Sequence, residues 1–140
     1  SRFVQGWTDA VVQPAIVGLV VRDIVEHLDP EDRAYFVENR EARFGRSLHD
    51  VVAGREERVE AFRAGLIPLR RLLAHQPFLG GETPLYADYI VFGAFMWART
   101  ISAFQLVAEE DAIRPWLDRC LDLHGGLARN ATGFYWTAAA

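Results

Sequence analysis

The chain has 140 residues, the length of one ordinary domain, with 51% hydrophobic and 24% charged residues and a formal net charge of −4. That composition can bury a core without staples, and the 15 scattered basic residues exclude the basic stripe that a phosphate backbone requires. Cys120 is the single cysteine, so no internal disulfide forms and a reducing, cytoplasmic compartment is the expectation; no apolar run reaches membrane-spanning length. Ser1 leads straight into helical-looking sequence with no signal pattern, which reads as an excised or truncated domain.

Strand signals are nearly absent and helix signals are dense. Arg2 to about Leu28 reads as one long helix kinked at Pro14, a residue that removes a backbone donor and crowds the preceding turn. "LDPED" stops it and starts a second helix, with Asp29 as N-cap and Pro30 at the first position, running to Phe44 and ending at Gly45. Ser47 caps a short helical turn. "REERVEAFRAGLIPLRRLLAHQ" then places Val59, Phe62, Leu66, Leu69 and Leu73 at steps of three and four, one apolar stripe on a helix bent at Pro68. After "PFLGG" a helix from about Leu85 to Val107 carries no charge between Tyr89 and Ala98, the pattern of a helix surrounded by others. The last helix, Asp111 to Leu123, turns Ile113, Trp116, Leu117, Cys120 and Leu121 inward and ends at Gly125-Gly126, with His124 at the negative end of its dipole. The tail "GFYWTAAA" is aromatic, with no obvious partner in the chain. The fold class is therefore all-α: a bundle of five to six helices around one buried central helix.

Chemistry-bearing motifs are sparse. In "DRCLDLH", Asp118 and Asp122 share one helical face while Cys120 and His124 share roughly the opposite one, so they do not converge on a metal. Cys120 falls on the apolar side beside Trp116 and reads as a buried, inert thiol. No nucleophile elbow, phosphate loop or isolated acid pair occurs, and no residue here is assigned a catalytic role. Asp88 stands in the first turn of the apolar helix. A carboxylate there meets unpaired backbone N–H groups and the positive end of the dipole, so it reads as a structural cap.

"FLGGETPLYADYIVFGAFMW" resembles the signature of the C-terminal helical domain of glutathione transferases, where such a turn leads into the central helix and the acid caps its start. That family carries Ser, Thr or Asn three residues before the acid. Here the position is Leu85, so the reciprocal cap is missing or displaced to Thr83. "AGRE", "ADY" and "PWLDR" followed by "GL" extend the similarity over about residues 3–129, towards the bacterial β-aryl-ether-cleaving members. The resemblance implies that residues 1–140 are one C-terminal domain, whose thioredoxin-like N-terminal partner domain, absent from this chain, binds glutathione and supplies the thiol-activating residue. It implies addition of a glutathione thiolate to hydrophobic or aromatic electrophiles, with aryl-ether cleavage as one form, and a homodimer with no nucleic-acid or membrane partner.

For this half it implies a wall of the electrophile pocket. Carried onto this sequence, that wall is Phe3, Trp7 and Val11, which share a face at i, i+4 and i+8, with Trp97 and the tail aromatics Tyr135 and Trp136. The competing reading of each is core or interface. Arg2 reads as a solvated arginine, with contact to the glutathione carboxylate as the alternative. Two functions of other classes stay open: a non-catalytic protein-docking module and a ligandin-like carrier of apolar compounds.

Overall fold

Apolar spacings of three and four dominate the sequence, and the computed structural model answers them with helices. It describes residues 1–134, among which the only extended pairing is a bridge between Phe78 and Gly81. The all-α expectation holds. Tyr135 and Trp136 lie outside the described residues.

The first helical rod comprises α1 (Arg2–Trp7), a π-helical segment (Thr8–Val12) and α2 (Gln13–Val20). Its irregularity precedes Pro14 instead of bending the rod there. Proline offers no N–H to the carbonyl four residues back, and the chain widens just before it, with the Gln13 N–H reaching the Thr8 carbonyl five residues back. At Val20 the backbone leaves α geometry (φ −129°), and Val21–His27 continue as a 3-10 helix, so the α-form stops short of Leu28.

Helix α3 (Pro30–Phe44) begins on proline and ends at Gly45, whose left-handed φ of +70° lets its N–H reach the Glu41 carbonyl at 2.9 Å. Asp29 occupies the N-cap position, but its exposed carboxylate accepts no cap bond. Its backbone carbonyl takes the Arg33 N–H instead. In α4 (Leu48–Val52) the Ser47 hydroxyl accepts the Asp50 N–H at 3.1 Å.

The single helix expected to bend at Pro68 is two: α5 (Arg55–Ala64) and α6 (Ile67–Leu73). The break falls at Gly65-Leu66, and Pro68 sits in the first turn of α6, where a missing N–H costs nothing.

Helix α7 (Tyr86–Ile101) ends at Ser102 and does not continue to Val107. Ser102 turns extended, donates its hydroxyl to Asp23 and accepts the Phe104 N–H at 3.1 Å, a long-range strap that ends the helix. Helix α8 (Arg114–Asn130) starts after the expected Asp111, whose carboxylate instead accepts from the Ile113 N–H and from Arg70. It breaks at Leu123–Gly126, where His124, Gly125 and Gly126 all hold left-handed φ angles.

Val12, Ile16 and Leu19 of the rod, Val59 and Leu69 of α5 and α6, Val91 and Phe95 of α7, and Trp116 and Leu117 of α8 close one core. A smaller cluster of Val21, Leu48 and Val51 lies beneath α3, which buries no residue of its own. Helix α7 is central, with Val91, Phe92, Phe95 and Ala98 buried. It is not enclosed all round: Tyr86, Tyr89, Gly93 and Thr100 form an exposed strip along it. The tail's first aromatic does have a partner. The Phe134 N–H meets the Arg99 carbonyl at 2.9 Å, and its ring stands edge-on to His27.

Candidate functional site

The turn from Gln76 to Leu85 sets where α7 begins. Gly81, at φ +116°, closes the bridge with Phe78, and the Gln76 amide and Arg119 guanidinium hold the carbonyls of Phe78, Leu79 and Pro77. Asp88, 1% exposed, sits under this turn. Its Oδ1 accepts the Leu79 N–H at 2.7 Å and the Trp116 indole N–H at 2.9 Å. Its Oδ2 accepts the N–H groups of Gly80 and Leu85, both at 2.9 Å. No side chain answers from position 85, so the carboxylate collects its donors from the turn and from α8. With four donors bound, Asp88 has no lone pair turned towards solvent chemistry.

Two grooves flank the first rod. One, of about 400 Å³, lies between the rod and α5, where Trp7, Val11 and Ala15 face Ala61 and Phe62. The other, of about 460 Å³, lies between the rod and α7, where Gln5, Thr8, Asp9 and Gln13 face Tyr86, Tyr89, Ile90 and Trp97. The structure therefore separates the residues anticipated as one wall. Trp7 and Val11 line the α5 side, Trp97 lines the α7 side, and Phe3, 84% exposed, lines neither. Arg2 is exposed at the start of the rod.

The α7 groove has two chemically different sides. Helix α7 contributes aromatic rings and the small Gly93 and Ala94; the rod contributes hydrogen-bonding side chains. The Gln5 amide donates to both Asp9 oxygens, at 3.0 and 3.2 Å, fixing the groove's one charge. The Thr8 hydroxyl, on a residue 4% exposed in the π segment, has no hydrogen-bond partner among the described residues. Tyr89 lines this groove, and its hydroxyl lies 2.9 Å from Nε2 of His124 on α8, with the two rings stacked at 6.0 Å. Tyr86, Tyr89 and the polar side of the rod are not among the residues anticipated from sequence. The available signal was the α7 strip itself: positions 86, 89, 93 and 97 recur at helical spacing.

Burial, with the Asp88 charge behind it, pushes the Cys120 thiol up to about 12, so it stays protonated at neutral pH. Asp118 and Asp122 both pair with Arg129. No helix among the described residues is long and apolar enough to cross a membrane.

Compared with known protein families, residues 1–121 match the family described as glutathione S-transferase, C-terminal domain.

Proposed function

The chain belongs to the glutathione S-transferase C-terminal domain family, and from that premise we propose that the groove between the first rod and α7 is its wall of the electrophile pocket. Glutathione is the co-substrate the family implies. The observation that carries the reading is the concentration of the exposed Tyr86 and Tyr89 and the half-buried Trp97 on one side of the central helix, facing the start of the first rod. Aromatic walls with a few polar groups opposite suit an aromatic ligand of ordinary size.

In this reading a thioredoxin-like domain packs over the strip, holds glutathione and ionises its thiol. Ionisation matters because a free thiol is mostly protonated near neutral pH and only the thiolate attacks carbon well. The present chain supplies shape and water exclusion, and the protein works as a homodimer. Aryl-ether cleavage, in which the thiolate displaces an aryloxide, is the narrower form of the same displacement. Within this proposal Trp97 keeps its pocket role, Trp7 and Val11 belong to the opposite groove, and Tyr86 and Tyr89 join the wall. The α5 groove favours a second reading. Its lining is almost wholly apolar, as expected of a carrier that holds hydrophobic compounds without turnover.

The test uses the full-length protein with glutathione, chlorodinitrobenzene and a benzylic aryl ether. We expect glutathione consumption with at least one of them. Trp97→Ala should lower kcat/KM for the electrophile about tenfold, the worth of roughly 1.4 kcal/mol, with KM for glutathione unchanged. A protein that binds glutathione yet consumes none with either electrophile would leave the carrier reading standing in place of the transferase.

A further inference from the structure

We infer that Tyr89, oriented by His124, is the polar contact through which the α7 groove selects its ligand, and that the preferred ligands are aromatic molecules bearing a hydroxyl group. The inference deepens the reading of this groove as the electrophile wall and rests on it.

Three observations converge. The first is capacity. A phenol hydroxyl both donates and accepts, and the His124 ring at 2.9 Å engages only one of these functions. If His124 carries its proton on Nδ1, Tyr89 donates to Nε2 and its oxygen remains free to accept. If the proton is on Nε2, the ring donates and the Tyr89 hydroxyl is released to donate to another group. A ligand hydroxyl matches either state, because it too does both. A methyl group in its place matches neither.

The second is placement. His124 is the only residue other than glycine with a positive φ among the described residues, at 54°, and it is followed by Gly125 and Gly126 at 69° and 81°. Glycine would adopt this conformation freely; histidine holds it at a cost. What that conformation achieves is visible: the ring stacks on Tyr89 at an interplanar angle of 23° with Nε2 at the hydroxyl. Strain kept for a side-chain contact at the edge of a cavity points to use of that contact.

The third is the surrounding chemistry. The rings of Tyr86 and Trp97 and the open space above Gly93 accept a flat apolar body. Among the polar side chains opposite, which include Gln13, Gln5 is already committed to Asp9, and the buried Thr8 hydroxyl has no partner among the described residues. Asp9 adds a negative charge, which disfavours carboxylated ligands.

The plainer alternative is that the pair only pins the break in α8. Calorimetric titration of the full-length protein with β-naphthol and β-methylnaphthalene separates the two, since these probes differ only in carrying a hydroxyl or a methyl group at one position. We expect β-naphthol to bind about tenfold more tightly, the worth of one net hydrogen bond. Tyr89→Phe, which keeps the ring, should erase the preference while leaving the methylnaphthalene affinity unchanged, and His124→Leu should reduce the preference. Equal binding of the two probes by the wild type would overturn the inference. So would a Tyr89→Phe variant that keeps the preference, or one that loses both ligands alike. Glutathione consumption measured in parallel keeps the two proposals apart. A preference abolished by Tyr89→Phe without turnover keeps Tyr89 as the selecting contact of a binding groove and removes the transferase reading; turnover without a preference overturns this inference alone.

Discussion

Asp88 shows how much one side chain can hold. Three backbone N–H groups and an indole N–H converge on its carboxylate, and all four lose their acceptor together if it is removed. Asp88→Ala should therefore cost about 3 kcal/mol or more in urea unfolding, and Asp88→Asn somewhat less, because an amide keeps one acceptor but turns an NH2 towards donors. A loss below about 1 kcal/mol would mean that the turn finds other acceptors. Asp111 makes a pH-dependent contribution. Burial works against its charge, but the Arg70 hydrogen bonds, the Ile113 N–H and the Arg70 and Arg63 charges more than offset that. Its carboxyl sits below the ordinary value of 3.8. A depressed folded-state value contributes stability that is complete above the unfolded value. The contribution fades as pH falls through the folded one. The wild type should thus lose more stability on acidification below about pH 4 than Asp111→Asn does, in unfolding series run at each pH. Parallel acid limbs would remove this role.

At the scale of the elements, two glycines on either side of the α7 start make opposite predictions. A Cβ on Gly80 would fall 2.5 Å from Leu85 Cγ and 2.7 Å from the Thr83 carbonyl oxygen, so Gly80→Ala must distort the turn and should cost about 2 kcal/mol. A Cβ on Gly93 meets nothing within 4 Å. Gly93→Ala should stabilise α7 by about 0.5–1 kcal/mol while weakening aromatic ligands, because the new methyl projects into the groove. Thermal unfolding with titration of β-naphthol checks both, and unchanged binding by Gly93→Ala would place the ligand elsewhere. The same elements show what was legible in sequence. Spacings of three and four reveal the stripes, Gly45 reveals a helix end and Gly125 the break within α8, because those signals are local. The end of α7 at Ser102 depends on Asp23, far away in the chain, and no local pattern announces it. Pro14 announced an irregularity, but whether the rod kinks or widens depends on what packs against residues 8–12. The groove was half legible for a related reason. Aromatic residues at helical spacing do not say which face a neighbouring helix covers, so Trp7 and Trp97 looked like one wall and stand on two.

Across the whole molecule, stability should be unevenly shared. The main core joins the first rod, α5 to α8 and the turn at Asp88, so α7 is held from several directions at once. Helix α3 buries no residue and rests on a small cluster of Val21, Leu48 and Val51, with Phe36 and Val37 packed against it. Its definition comes from local features: Pro30 at its start, Gly45 at its end and the Glu41 carboxylate accepting the Leu48 N–H at 2.8 Å. Few buried apolar contacts and solvent-facing hydrogen bonds mark a segment that opens without global unfolding. Native-state hydrogen exchange should find α7 amides exchanging only through global opening, with strong dependence on added denaturant. Amides of α3 should exchange orders of magnitude faster and with little such dependence. If both helices exchanged with one opening free energy, the two clusters would form a single cooperative unit. Independence of α3 has a functional corollary. The α7 groove lies between the first rod and α7, which both belong to the main core, so local opening of α3 should leave aromatic-ligand affinity unchanged, whereas loosening the Asp88 turn should lower it along with global stability.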